Sequence, residues 1–288
     1  MNSSKRATVT IITFGILTFA TSWAMWLLMW GLGIRPTLGP NFSTSPGYLL
    51  LMLGAAAPTF AALLMMVVTQ GKKTALQLLK NIADRKVSAR WYVVAIGLPI
   101  GLACITVLLY CLLTHALPRL QIGPILGLFP QFVWTVFLGG PLEEELGWRG
   151  FAFPWLQRMM NPLAAALVIG IVWGLWHLPL FVLPGSSQHT LISHGAVLLW
   201  VSGFFAQTIV LSLFLSWLIA RTKSIIVTIL AHASANVAYS VLAVFGLYTA
   251  WPALVLYVVL LITAVLSLTA KYLYQMPSKF REITNTSS

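Results

Sequence analysis

Three consecutive glutamates, Glu143, Glu144 and Glu145, stand in the stretch GGPLEEELGWRGF of a 288-residue chain that has only five acidic residues. An ionisable side chain at membrane depth costs at least ~2.5 kcal/mol on insertion scales, so it is normally turned into a helix bundle, paired and functional. The other reading, a solvated loop between two shorter spans, fits less well, because Phe, Trp and Leu flank the cluster closely. On a helix, residues four apart face each other, whereas neighbours point about 100° away. Glu145 and Arg149 are therefore expected to form an ion pair. Glu143 points in a third direction, and Glu144 is left free to act as a general base on water.

Two further stretches carry polar groups inside apolar runs. His177 lies in GIVWGLWHLPLF, where a lone histidine reads equally well as a hydrogen-bonded core residue. His232 and Asn236 in LAHASANVAY are four apart on one helix face, beside the small residues Ala231, Ala233, Ser234 and Ala235. Small residues let helices approach closely, so the two polar groups can converge on a neighbour, or simply form an interhelical hydrogen-bond pair. Helical rise places Glu144 and His177 roughly 20 to 22 Å from the basic ends of their spans, and His232 and Asn236 about 12 and 18 Å from theirs. All four can meet near one level.

The elements that must position them follow from composition. The chain is 59% hydrophobic and 8% charged, against about a quarter charged in ordinary soluble domains. Its apolar runs approach the roughly 20 residues that a helix needs to cross a bilayer. Spans are expected over 8–33, 47–69, 91–117, 128–157, 162–183, 194–220, 224–247 and 250–272, the fourth interrupted by Gly139, Gly140 and Pro141. The fold class is all-α: a polytopic transmembrane bundle of about eight spans. The chain reads as one transmembrane domain, 1–288, with a catalytic core over about 128–247.

Lys and Arg sort by side. Lys5, Arg6, Lys72, Lys73, Lys80, Arg85, Lys86, Arg90, Arg158, Arg221, Lys223, Lys271, Lys279 and Arg281 fall on one side and Arg35 and Arg119 on the other, with Arg149 set aside as intramembrane. Cytoplasmic loops carry such an excess. The expectation is an integral, multi-pass protein of a bacterial cytoplasmic membrane, with both termini cytoplasmic. The net charge of +12 lies in short gaps rather than on one amphipathic face, which argues against a nucleic-acid partner. Residues 70–90 read either as a short interfacial helix carrying Leu76, Leu79 and Ile82 or as a solvated basic loop. Trp30, Trp91 and Trp251 are expected in aromatic belts. Cys104 and Cys111 are expected to be packing residues.

Taken together, these stretches resemble the CAAX-processing and bacteriocin-processing family, which includes the type II CAAX prenyl endopeptidases. Its pattern E-E-x-x-x-R matches Glu144, Glu145 and Arg149; its F-x-x-x-H matches His177 with Trp173 in place of Phe; its H-x-x-x-N matches His232 and Asn236. The resemblance implies an intramembrane endopeptidase in which Glu144 and His177 activate a water while His232 and Asn236 stabilise the oxyanion. Glu145, Arg149 and Trp173 are then supporting residues. The substrate implied is a membrane-associated peptide or protein, prenylated or of the bacteriocin type, met within the lipid bilayer.

No cofactor is favoured, although Glu144, His177 and His232 are ligand types that could hold zinc. H-E-x-x-H spacing is missing and Asn236 is a poor zinc ligand, which favours metal-free chemistry. A non-catalytic immunity or scaffold protein could use the same polar cluster to bind a peptide, and a transporter could use it as a proton relay. The sequence lacks the inverted repeat that would favour transport.

Overall fold

Hydrocarbon offers no partner to backbone N–H and C=O groups, so an apolar chain crosses it as helices that satisfy those groups internally. The computed structural model describes residues 3–36, 46–80, 82, 86–115, 120–193, 195–247 and 250–273, and every regular element among them is helical. Arg85, Arg119, Lys279 and Arg281 of the charge count lie outside the described residues, as does the side chain of Lys271.

Helix α1 (Ser3–Gly31) is followed by α2 (Pro46–Ala55) and α3 (Ala57–Gln70), which have the length and hydropathy of a span only together and are bent by 44° beside Pro58. Then come α4 (Lys72–Lys80), α5 (Ala89–Thr114) and α6 (Ile122–Leu138). The fourth crossing continues through α7 (Pro141–Gly147), a π turn (Trp148–Ala152) and α8 (Phe153–Leu156). The fifth is α9 (Pro162–Trp176) with α10 (Leu178–Val182), and a short α11 (Ser187–Ile192) leads to α12 (Val197–Thr222), α13 (Ile225–Val244) and α14 (Trp251–Leu273). Among the described residues seven helical segments are long and apolar enough to span a bilayer, or eight if the bent pair is one span.

Within residues 70–90 a helix, α4, forms over Lys72–Lys80, with Leu76 and Leu79 exposed. Trp30 and Trp251 are exposed near helix ends, but Trp91 packs edge-on against Trp217 at 5.3 Å. Cys104 is exposed on the outside of α5, so it is not the packing residue expected of it. An apolar environment accepts a thiol as readily as a protein core does.

Helix α13 sits at the centre and packs against α5, α6, α7 and α12. Its Ala231, Ala233, Ala235 and Ala238 are fully buried, and the Ser234 hydroxyl donates to the Ile96 carbonyl of α5 at 2.6 Å. Small residues also bring α9 against α12. A Cβ at Gly170 would lie 2.6 Å from the Ile209 Cα, and the Ser212 hydroxyl donates to the Ala166 carbonyl at 2.7 Å. Without a hydrophobic drive between helices in lipid, such close packing and interhelical hydrogen bonds hold the bundle. Helix α1 is clamped by tryptophans: Trp23 donates to the Trp176 carbonyl at 3.0 Å, and Trp176 donates to the Ser22 hydroxyl at 2.7 Å.

One contact point fixes the acidic helix α7. Thr59 of α3 donates to the Glu143 carbonyl at 2.5 Å, and Gly147 lies against the backbone of Pro58, where a Cβ would fall 2.5 Å from its carbonyl oxygen. Gly147→Ala should therefore lower stability, although alanine is the better helix former, because overpacking against backbone typically costs about 1–3 kcal/mol. Gly101→Ala in α5, with nothing near its Cβ position, should be neutral or stabilising. Unfolding of both variants in detergent micelles checks the contrast.

Candidate active site

The break in the fourth crossing builds the site. Gly140 has φ +106, a conformation open to glycine, and a Cβ there would come within 2.5 Å of Glu144 Oε1. Pro141 then starts α7, and the Glu144 N–H donates to the Gly140 carbonyl at 2.8 Å. The Gly-Gly-Pro interruption thus marks where the helix restarts immediately before its acidic residues. Tyr48 caps the other side of the break by donating its hydroxyl to the Leu138 carbonyl.

Glu145 and Arg149 are both fully buried and pair through Oε1 and a guanidinium N–H at 2.9 Å, as their spacing requires. Arg149 lies within the π turn, an arrangement common at functional sites. The same Glu145 oxygen is 2.9 Å from His232 Nδ1. A carboxylate oxygen accepts, so His232 carries its proton on Nδ1 and keeps Nε2 for the cavity that it lines. Helix spacing could not reveal this bond, which joins residues 87 apart. Glu143 is half-buried and takes no place in the cavity lining.

Trp173 connects the remaining parts. Its indole N–H donates to Glu144 Oε2 at 2.5 Å, and its carbonyl accepts from His177 Nδ1 at 2.8 Å. His177 therefore also presents Nε2. The Trp173 ring meets the His232 ring edge-on at 5.0 Å, while the Arg149 guanidinium lies 4.9 Å from the indole centroid. Read from sequence as an aromatic wall replacing Phe, Trp173 is also a hydrogen-bond donor to Glu144.

Glu144, His177, His232, Asn236 and Trp173 all line one cavity of about 360 Å³. Glu144 and the two histidines are buried, whereas Asn236 is half-buried. Gln131, Thr135, Gln207 and Thr208 add polar lining, and nothing in their sequence neighbourhood distinguished them. Among the described residues, no three His, Cys, Asp or Glu side chains gather into a metal-holding group. Each histidine gives Nδ1 to an oxygen and keeps Nε2, an arrangement that serves water activation and metal ligation alike.

A buried carboxylate and two buried histidines line one cavity within a bundle of apolar helices, and comparison with known proteins gives the kind of protein that this chain is similar to. Residues 126–238 match the family described as type II CAAX prenyl endopeptidase Rce1-like. The CAAX prenyl protease 2 of Methanococcus maripaludis is 24% identical over 234 residues, covering 79% of this chain and 84% of the relative. Over this region the chain is similar to CAAX prenyl endopeptidases, and the two matches support an intramembrane protease.

Two substitutions should separate the ion cluster from the indole contact. Arg149→Ala strands a buried carboxylate, which costs about 3–5 kcal/mol, and should sharply reduce folded yield. Trp173→Phe keeps the ring and removes one donor, for a smaller loss of about 1–3 kcal/mol. Unfolding free energies measured in micelles should follow that order; equal losses would show that the pair with Glu145 is not the dominant element.

Proposed function

We propose that the chain cuts a peptide bond of a membrane-associated substrate by metal-free hydrolysis, with Glu144 as base. The observation carrying this reading is the single cavity lined by Glu144, His177, His232 and Asn236, brought together from three separate crossings. A water between Glu144 and His177 Nε2 loses a proton to Glu144 as its oxygen attacks the scissile carbonyl carbon. The Asn236 amide, with His232 Nε2 when it carries a proton, donates to the oxyanion. Collapse of the tetrahedral intermediate breaks the C–N bond, and the proton held by Glu144 passes to the leaving amine. A positioned base contributes roughly 10² to 10⁴-fold and an oxyanion donor about 10² to 10³-fold. Glu145 acts by orienting His232 rather than by touching the substrate.

The substrate class is a membrane-anchored peptide of the prenylated or bacteriocin type; the archaeal relative is itself named a prenyl protease. The lysine and arginine bias supports cytoplasmic termini in a bacterial cytoplasmic membrane.

Glu144→Gln keeps the shape of the side chain and removes the base. It should leave the protein folded and abolish the cleavage products seen when membrane-peptide profiles are compared with and without active protein. Glu143→Gln should retain substantial activity, and Asn236→Ala should lose about 10² to 10³ in turnover. Activity should survive exhaustive chelation; loss restored by added zinc would overturn the metal-free chemistry. Wild-type cleavage by Glu144→Gln would remove the protease function from this site.

A further inference from the structure

Gly71, at φ +88, turns the chain out of α3, and α4 begins at once with Lys72. Its nine residues rise about 13 Å, less than half of a hydrocarbon core about 30 Å thick. With the crossings of α3 and α5 on either side of it, α4 stays at one face of the membrane.

At about 100° per residue, α4 presents four different sides. Ala75 and Leu78 point to the bundle; Ala75 is buried and Leu78 half-buried. Lys73 and Lys80 point directly away from it, exposed. One flank carries Leu76 and Leu79, both exposed, with Lys72 between them. The other carries Thr74 and Gln77. A helix with leucines on one flank, polar side chains on the other and lysines between them is shaped to lie in the headgroup layer. The leucines then enter the acyl chains, and the Lys72 stem can reach back to the surface.

The lysines need an anion from outside the chain. Residues 70–90 hold six Lys and Arg against one acid, Asp84, which lies outside the described residues. Every described carboxylate side chain belongs to Glu143, Glu144 or Glu145, and among the described residues none of these pairs with a lysine. On its inner side α4 meets the segment that carries the site. Leu78 Cδ1 lies 3.5 Å from the position of a Cβ on Gly150, the residue after Arg149 in the π turn. Leu78 and Ile82 also pack against the cluster of Val136, Leu146, Ile225, Ile229 and Ala233, which joins α6, α7 and α13.

We infer that α4 is a docking surface for anionic phospholipid headgroups, and that a leaflet holding it steadies α7 and the π turn through Leu78. Each lysine near an anionic surface is worth roughly fivefold in attraction to it. The docking is independent of the reaction; only its bearing on turnover rests on the protease reading.

Amide hydrogen exchange of the full chain in lipid nanodiscs reads both steps without a cleavage assay. Discs of phosphatidylcholine are compared with discs in which part of it is replaced by phosphatidylglycerol. In the anionic discs exchange within α4 should slow about fivefold or more, and exchange over 145–152 should slow by a smaller factor. Lys73→Gln with Lys80→Gln should abolish both effects. Lys5→Gln with Lys223→Gln, an equal loss of charge at the start of α1 and the close of α12, should retain them. Leu78→Ala should keep the slowing of α4 and lose that of 145–152. Equal exchange of α4 in the two kinds of disc, or equal losses in the two double variants, overturns the docking. Slowing of 145–152 that survives Leu78→Ala overturns the coupling. Glycerol phosphate added to phosphatidylcholine discs should change nothing; if it reproduced the slowing, α4 would bind a soluble anion and the leaflet would not be its partner. Failure of the Glu144→Gln cleavage test leaves this exchange pattern untouched, so the two readings fail separately.

Discussion

A carboxylate with no exposure to solvent must be neutralised within the protein, and Glu145 is the point where that requirement shapes the bundle. One of its oxygens takes both the Arg149 guanidinium and His232 Nδ1. Through Arg149 it holds the π turn of its own crossing; through His232 it fixes α13, the most enclosed helix. Buried ion clusters are weak net contributors to stability, since desolvation offsets much of the attraction, but removal of one member is severe. The cluster therefore acts as a register pin: it specifies which helices meet and at what height, while small-residue packing supplies the bulk of the contact. The neighbouring Glu144 is free for the cavity because Glu145 is occupied.

Trp173 shows how a substitution at an aromatic position can be absorbed and extended. A phenylalanine there would provide a wall; the indole provides a wall and one N–H, aimed at Glu144 Oε2. Its backbone carbonyl simultaneously fixes the tautomer of His177, a turn later on the same helix. Orientation of the carboxylate and of one imidazole thus derives from one residue, and the ring also bears on His232. Such shared support restrains several groups with few side chains, which matters where each additional polar atom would need its own partner in the membrane interior.

Much of this arrangement is legible from residue types, for a physical reason. Runs of apolar residues fold as crossings because lipid leaves no alternative, and polar residues inside those runs stand out because they are expensive. The Glu145–Arg149 pair was readable because both members lie on one helix, where spacing alone sets the approach. The His232–Glu145 bond was not, since nothing in local spacing reports which distant helix lies alongside. Trp173 was visible as an aromatic substitution, but its bond to Glu144 depends on the Gly140 break, which turns the carboxylate toward α9. The polar lining from Gln131 and Gln207 was equally hidden, because an isolated glutamine in an apolar run is compatible with many packings. Cys104 was misjudged for a simpler reason: hydropathy does not tell a core from a lipid-facing surface.

The polar lining has a consequence for hydration. Peptide hydrolysis consumes a water molecule with every bond broken, yet lipid on every flank of the bundle is a poor source of it. Gln131, Thr135, Gln188, Gln207 and Thr208 line the same cavity as Glu144 and offer water hydrogen-bond partners there. These polar groups make the lining beside Glu144 hydrophilic within a bundle of otherwise apolar helices, so a peptide segment that filled the cavity would displace any water held there.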